Sequence, residues 1–177
     1  MTTQVIRIID ILSISEYNTL RQTKMQLTKN FSLEELTATS KKVNNTPNSV
    51  QLSHLKETAN MLQTLRDVYG KGIKINSGFR SAALNKMVGG SATSAHSYGY
   101  AADTVPSNGD MKTYQKVVLE WAKTHAFDQI IIEYPTNYVA SWIHIGLKNG
   151  SGLQRKQILY TVNGKNYPAI NNKFYLK

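Results

Sequence analysis

An amphipathic stripe marks the longest helix that this chain can form. From Val50 to Tyr69, apolar residues recur at the three- and four-residue spacing of one helical face, and Gly70 ends the pattern. The residues of the stripe are Leu52, Leu55, Ala59, Leu62, Leu65 and Val68. The spacing therefore predicts a single long helix that is buried along one face.

Strand-like runs follow this helix, and most of them lie in the last third of the chain. FDQIIIEY and SWIHIGL indicate two strands, and the Asn163-Gly164 pair in ILYTVNGKNYPAI is typical of a tight hairpin. Shorter helices are predicted where Ser32 and Glu35 form a capping box and where Asp110 caps DMKTYQKVVLEWAKTHA. Because helices come early and strands late, we expect an α+β fold with helices packed on a mostly antiparallel central sheet.

The length of 177 residues suits one domain. We expect an N-terminal strand and connection over residues 1–30, a core over 31–147, and a basic β-hairpin extension of the same domain over 148–177. The N-terminal VIRIIDIL is interrupted by Arg7 and Asp10 and has no signal-peptide flanks, so we interpret it as a strand. No apolar run approaches the roughly 18 residues of a membrane span.

The chain has no cysteine, so any zinc site must use histidine, aspartate or glutamate. SATSAHSYGYAAD, residues 91–103, places His96 and Asp103 in a stretch of small and aromatic residues. In SWIHIGL, the alternation of a strand puts His144 on the face opposite to two isoleucines. Two imidazoles and one carboxylate would leave a tetrahedral zinc with one open position, which is the catalytic arrangement.

The residues around these candidate ligands resemble those of the M15 zinc peptidases. S-x-H-x-x-G-x-A-x-D is present in full between Ser94 and Asp103, SGFRS stands upstream, and W-x-H stands downstream. This family comprises D-Ala-D-Ala carboxypeptidases and peptidoglycan endopeptidases, and it shares a fold with the zinc domain of Hedgehog proteins. The resemblance covers roughly residues 30–147 and is closest to a branch found in bacteria and their phages.

The resemblance implies one Zn²⁺ per chain, held by His96, Asp103 and His144. It also implies that Arg80 in SGFRS is a catalytic and substrate-binding residue, since a guanidinium suits a peptide carboxylate or carbonyl. The alternative for Arg80 is a structural salt bridge. Ser94 and Trp142 are expected to contribute to substrate binding.

The general base is the point at which the sequence departs from the family pattern. Many relatives carry a carboxylate three positions before the last histidine, where this chain has Ser141. Glu133 is the last acidic residue before His144, and we expect it to serve as the base if the strands of residues 127–134 and 141–147 pair. Asp128 is the reserve candidate.

The formal net charge of +10 indicates either a polyanionic neighbour or charge that serves solubility alone, and no acidic residue follows Glu133. We expect a monomeric zinc peptidase that acts on peptide stems of peptidoglycan, with an anionic cell-wall surface as a possible partner. We expect synthesis in a bacterial cytoplasm without a signal peptide, and action in the periplasm or at the wall. Two alternatives stay open: a non-catalytic zinc-containing cell-wall module, and a nucleic-acid-binding domain, which lacks a recognition helix or an RNA-binding aromatic signature.

Overall fold

The computed structural model of this protein describes Ser13 and residues 25–169. The predicted N-terminal strand falls outside these residues. Five helices are described, namely α1 (Leu33–Thr37), α2 (Ser49–Tyr69), α3 (Ala82–Met87), α4 (Ala95–Tyr98) and α5 (Met111–Trp121). The strands of this part of the chain are β1 (Ile73–Ser77), β2 (Ala101–Pro106), β3 (Gln129–Glu133), β4 (Trp142–Gly146), β5 (Gln157–Val162) and β6 (Lys165–Pro168).

The strands form one six-stranded sheet in the order β1-β2-β4-β3-β5-β6. Neighbouring strands are antiparallel, except that β3 and β5 run parallel. The predicted α+β class with a mostly antiparallel sheet is therefore confirmed. The predicted pairing of the two isoleucine-rich strands is also present, because β3 lies beside β4.

The two faces of the sheet differ in chemistry because side chains alternate along each strand. Four isoleucines of β3 and β4 have no exposed surface and belong to the core, together with the buried residues of α2 and α5. They are Ile130, Ile132, Ile143 and Ile145. The opposite face carries Asp103 on β2, Glu133 on β3 and His144 on β4. Helix packing on one face thus leaves the other face available for a polar site.

The local signals predicted for the helices are present. Ser32 and Glu35 form the capping box of α1, Asp110 caps α5, and Gly70 ends α2 in the left-handed conformation with φ 68°. The buried face of α2 differs from the predicted stripe at its C-terminal end, where Val68 is 58% exposed and Tyr69 is buried instead. Tyr69 follows Leu65 at the equally valid four-residue spacing, and its ring packs against Tyr114 at a centroid distance of 5.1 Å.

The helix predicted from DMKTYQKVVLEWAKTHA is shorter than expected and ends at Trp121. His125 then stacks on the Trp121 ring, with centroids 4.7 Å apart, and its Nδ1 lies 2.9 Å from the Trp121 carbonyl oxygen. No helix in the described ranges is both long enough and apolar enough to cross a bilayer.

The predicted hairpin is present as β5 and β6, which turn at Asn163-Gly164 and extend the sheet beyond β3. Residues before β5 are anchored by Arg155, whose Nε and Nη2 donate to the two carboxylate oxygens of Asp128 at 2.7 and 2.6 Å. Asp128 is only 1% exposed. The domain boundaries at residues 30 and 147 stay predictions.

The Asp128–Arg155 pair generates a prediction about stability. Burial alone would raise the pKa of Asp128, but the bonds from Arg155 hold this pKa below its ordinary value. The pair therefore stabilises the fold above the unfolded-state pKa of aspartate, and this contribution is lost as the pH falls through the folded-state value. We expect Arg155→Ala to lower the free energy of unfolding at pH 7 by about 2–3 kcal/mol, because it leaves a buried carboxylate short of donors.

Denaturant unfolding at pH 7 measures this effect. Lys123→Ala is the matched control, because Lys123 pairs with Glu120 on the surface at 2.7 Å and both side chains are more than half exposed. An exposed pair of this kind contributes about 0–1 kcal/mol. Equal stability losses in the two variants would contradict the anchoring role of Arg155.

Candidate metal centre

Three buried side chains point ligand atoms at one place on the polar face of the sheet. His96 Nε2 lies 3.1 Å from His144 Nδ1 and 3.3 Å from Asp103 Oδ1, and His144 Nδ1 lies 3.1 Å from the same carboxylate oxygen. His96 is 3% exposed, and Asp103 and His144 are each 8% exposed. They form a group that could hold a metal ion, and the part of the chain that the structure describes contains no second group of this kind.

The pairing of β2 with β4 brings two of the three side chains together. Asp103 and His144 are directly opposite each other in this antiparallel pair, so their side chains emerge on the same face. His96 comes from the short helix α4, one loop before β2. The predicted alternation in SWIHIGL is thereby realised, with Ile143 and Ile145 in the core and His144 in the site.

A backbone carbonyl holds the His96 ring in its orientation. Nδ1 of His96 lies 2.7 Å from the carbonyl oxygen of Gly78. Because a carbonyl can only accept, Nδ1 carries the ring proton and Nε2 presents a lone pair to the site. Gly78 is required where it stands, since a Cβ there would collide with the backbone carbonyl of Leu36, which accepts a hydrogen bond from Phe79 N–H at 2.7 Å.

A second glycine shapes the turn between the two loop residues of the site. Gly99 follows α4 with φ 82°, a conformation that favours glycine. A Cβ at this position would also lie 2.8 Å from the carbonyl oxygen of Gln51 in α2. The Gly in the H-x-x-G-x-A-x-D spacing therefore lets the chain turn closely against α2 on its way from His96 to Asp103.

The electrostatics of the group favour the protonation states that metal ligands require. Burial lowers the pKa of His96 below 6.5, although the nearby Asp103 opposes this shift. For Asp103, burial alone would raise the pKa. The imidazoles of His96 and His144, which lie 3.3 and 3.1 Å from its Oδ1, instead hold the pKa of Asp103 well below its ordinary value. A neutral His96 and an ionised Asp103 result at neutral pH.

Arg80 lies directly against this group. Its Nη2 donates to Oδ2 of Asp103 at 2.6 Å, and its Nε donates to Ser77 Oγ at 2.8 Å. The alternative that the sequence left open for Arg80, a salt bridge, is therefore formed in the structure. The guanidinium holds Asp103 so that the other oxygen, Oδ1, faces the two histidines. Arg80 also lines a cavity of about 240 Å³ that extends to Lys41 and Val88.

Glu133 lies on the same face as His144, one strand away and two residues along the sheet. Its direct partner on β4 is Trp142. Burial raises the pKa of the Glu133 carboxyl above 4.5, while a hydrogen bond from the Thr161 side chain and the charge of His144 oppose the rise. A raised pKa suits a group that must take up and release a proton near neutral pH.

The other sequence candidates have different surroundings. Both carboxylate oxygens of Asp128 are bound by Arg155, so this residue is unsuited to the reserve role of base. Ser141 donates from its hydroxyl to the Tyr134 carbonyl at 3.0 Å. Ser94 precedes α4 and makes no capping hydrogen bond with its side chain. The Trp142 ring packs against Tyr134, with centroids 5.3 Å apart.

The donor set fits zinc. Nitrogen and oxygen ligands bind zinc at about 2.0–2.2 Å, and the ligand atoms of a tetrahedron with such bonds are about 3.3–3.6 Å apart. The three atoms here are separated by 3.1–3.3 Å. Three protein ligands leave one coordination position for water or substrate.

Sequence reasoning missed several contributors to the site. The Gly78 carbonyl and the Ser77 hydroxyl both belong to SGFRS, from which only Arg80 was selected. A backbone carbonyl carries no side-chain signal, so motif reading could not find it. Thr161 was missed because it lies in the hairpin, and its influence on the pKa of Glu133 depends on the pairing of β5 with β3.

Two comparisons with known proteins agree with this geometry. A family model described as Peptidase M15 matches residues 29–146, about two thirds of the chain. A zinc D-Ala-D-Ala carboxypeptidase from Streptomyces albus G is 40% identical over 72 residues. This match covers 40% of the present chain and 26% of the relative, so the chain aligns with about a quarter of that relative's length. Together with the buried His-Asp-His group, these similarities support zinc as the ion of the site.

The geometry predicts the effect of removing single ligands. We expect the wild-type protein to retain one zinc per chain after dialysis, and His96→Ala and His144→Ala to lose it, because two remaining ligands hold the ion too weakly. Elemental analysis of the dialysed proteins measures this. His125→Ala is the matched control, since His125 lies outside the group and should leave zinc content unchanged. A full zinc equivalent in His144→Ala would show that the ligand set is wrong.

Proposed function

The chain belongs to the M15 peptidase family, and from this premise we propose that it is a zinc peptidase that hydrolyses amide bonds in the peptide stems of peptidoglycan. The observation that carries the proposal is the convergence of His96, Asp103 and His144 within 3.3 Å of one another, on the sheet face that also carries Glu133. The substrate class is supported by the similarity to the Streptomyces relative, a zinc D-Ala-D-Ala carboxypeptidase.

The proposed ligands are preorganised by the protein. A zinc ion held by His96, Asp103 and His144 would act there as a Lewis acid that activates water and polarises a carbonyl. The Gly78 carbonyl fixes the His96 tautomer, and Arg80 fixes the orientation of Asp103. Such partners of the ligands are typically required for metal affinity or activity, because they prevent the ligands from rotating away.

Glu133 is the proposed general base and acid. A carboxylate in this role takes a proton from the attacking water and passes it to the leaving amine. Glu133 lies close enough to the metal group for His144, Asp103 and Arg80 all to influence its pKa. Ser141 cannot replace it, because a hydroxyl has no basic oxygen at neutral pH.

Arg80 is proposed to contact substrate as well as Asp103. A guanidinium has five N–H donors, and the bonds to Ser77 and Asp103 use the Nε hydrogen and one Nη2 hydrogen of Arg80. The side chain is 18% exposed at the edge of the 240 Å³ cavity. The remaining donors are available to the carboxylate or carbonyl groups of a peptide stem. Ser94 and Trp142 keep their proposed substrate-binding roles.

The basic chain supports action at an anionic surface such as the bacterial cell wall. Its net charge is +10, and no acidic residue follows Glu133. Attraction to polyanions concentrates an enzyme near its substrate, and the effect weakens with salt. The alternative of a zinc-containing module without catalysis rests on Ser141, and the following experiment separates the two functions.

We expect the zinc-loaded protein to change the masses of purified muropeptides, either by removing a terminal alanine or by separating the stem. Glu133→Gln keeps the size of the side chain but removes its basic oxygen, so turnover should fall about a hundredfold or more. Mass spectrometry of the muropeptides at matched zinc occupancy measures both effects. Unchanged muropeptides with wild-type protein would contradict peptidase activity, whereas equal rates for the two proteins would contradict only the role of Glu133.

A separate prediction concerns Arg80. Arg80→Lys keeps the positive charge but loses the planar fork, so we expect kcat/KM to fall more than tenfold at saturating zinc. This fall in kcat/KM should come mainly from a higher KM, because the lost donors bind the substrate. Steady-state kinetics and zinc content measure this, and Lys41→Ala, which removes another basic side chain that lines the same cavity, is the comparison for a general loss of charge. Normal kinetics in Arg80→Lys would reduce Arg80 to its salt bridge with Asp103.

A further inference from the structure

The SGFRS segment, residues 77–81, leads from the end of β1 into α3 and contacts two of the proposed zinc ligands. The Gly78 carbonyl accepts from the His96 ring at 2.7 Å. The Arg80 guanidinium donates to the Asp103 carboxylate at 2.6 Å, and the Arg80 backbone N–H donates to the His96 carbonyl at 3.2 Å. The position of this segment therefore influences where both ligands lie.

One amide side chain from another part of the chain binds the SGFRS segment on both sides of Arg80. Asn45 lies in the connection between α1 and α2 and is partly buried. Its Nδ2 donates to the Phe79 carbonyl at 2.9 Å, and its Oδ1 accepts from the Ser81 N–H at 2.7 Å. These two bonds hold the peptide groups that precede and follow Arg80.

A third bond fixes the Asn45 amide against the first helix. Its Nδ2 also donates to the carbonyl of Thr37, the last residue of α1, at 2.9 Å. Because both partners of Nδ2 are carbonyls and the partner of Oδ1 is an N–H, the amide fits in one orientation. Turning the amide over would lose all three bonds, so Asn45 is bound to the segment in a defined geometry.

Two other bonds attach the SGFRS segment to the same part of the chain without using the Asn45 side chain. The Phe79 N–H donates to the Leu36 carbonyl at 2.7 Å. The Ser81 hydroxyl donates to the Asn44 carbonyl at 2.8 Å. Substitution of Asn45 should therefore shift the segment rather than detach it, and the protein should stay folded.

We propose that Asn45 is a positioning residue for the metal centre. By fixing the peptide groups around Arg80, it sets the places of the Gly78 carbonyl and the Arg80 guanidinium, which in turn hold the two ligands. The inference rests on the proposed ligand set. Groups that orient metal ligands typically change metal affinity or activity by about 10–100-fold when they are substituted, because a site depends on small displacements of its ligands.

The main test measures zinc affinity by competition with a chelator. Asn45→Asp keeps the shape of the side chain and the bond from Ser81, but it places a carboxylate oxygen against two carbonyl oxygens. We expect the zinc dissociation constant to rise about tenfold or more. Asn45→Ala removes all three bonds without adding charge, and it should change the affinity in the same direction.

Two controls separate positioning from general effects. Asn44→Asp adds the same charge at the neighbouring exposed residue, whose Oδ1 accepts from the Thr46 N–H, and it should bind zinc as wild type does. Gln63→Ala removes another partly buried amide, which bonds Thr28 and Asn30 rather than the SGFRS segment. It should lower thermal stability and leave zinc affinity unchanged.

A second measurement depends on neither activity nor zinc affinity. The Nδ1 proton of His96 faces the Gly78 carbonyl in a ring that is only 3% exposed, so it should exchange slowly with solvent and give a resolved NMR signal at saturating zinc. A shift of the SGFRS segment weakens this bond, and exchange in Asn45→Asp should be about tenfold faster or more. Gln63→Ala should leave the exchange rate unchanged.

The outcomes separate this inference from the proposed function. Wild-type zinc affinity or a wild-type His96 exchange rate in both Asn45 variants would overturn the positioning role. A loss of zinc affinity in Gln63→Ala as large as that in Asn45→Asp would also overturn it, since affinity would then follow stability alone. If wild-type protein leaves muropeptides intact while both measurements change in Asn45→Asp, the peptidase activity is wrong and the positioning role stands. If His144→Ala keeps a full zinc equivalent, the ligand set is wrong, and the His96 exchange rate alone decides the role of Asn45.

Discussion

Antiparallel pairing of β2 with β4 is the contact on which the site depends. It places Asp103 directly opposite His144, so one strand pair sets the positions of two proposed ligands. A shift of the pairing by one residue would turn these side chains to the core face and send Ile143 and Ile145 to the polar face. Because the core would then receive a charge and lose two buried isoleucines, the hydrophobic effect that folds the sheet also selects the register of the site.

One face of the sheet therefore packs in the hydrophobic core, and the other face carries the candidate metal site. Isoleucine side chains with no exposed surface hold β3 and β4 against the helices, and the residues between them face the site. Groups that are carried by paired strands are held more rigidly than groups on loops. His96 is the exception, since it comes from a four-residue helix, and its ring is fixed instead by the Gly78 carbonyl.

Much of the fold and of the metal group could be predicted from the sequence. The alternation in SWIHIGL and the capping residues Ser32 and Asp110 are local sequence signals. Such signals predict structure because the local preferences of natural sequences agree with the final fold. His96, Asp103 and His144 were found because their residue types suit one metal and because the residues around them resemble the M15 motifs. The ends of the helices were less predictable, because burial of Tyr69 in place of Val68 depends on Tyr114, which lies far along the chain.

The contacts that the sequence did not predict are those made by backbone atoms or by distant strands. Neither the bond of His96 to the Gly78 carbonyl nor the parallel pairing of β3 with β5 can be inferred from a motif, since each requires the three-dimensional structure. The pairing of Arg80 with Asp103 was open for a similar reason, because a guanidinium suits a protein carboxylate as well as a substrate carboxylate.

The position of β3 between β4 and β5 means that the segment matched by the family model does not contain the whole sheet. A chain cut after residue 147 would keep every residue of the family match, yet it would convert β3 from an interior strand into an edge. Its unpaired N–H and C=O groups would then border three consecutive isoleucines, which is the kind of edge that recruits other chains into aggregates. The segment that matches the family model is thus smaller than the segment that covers the edge of β3.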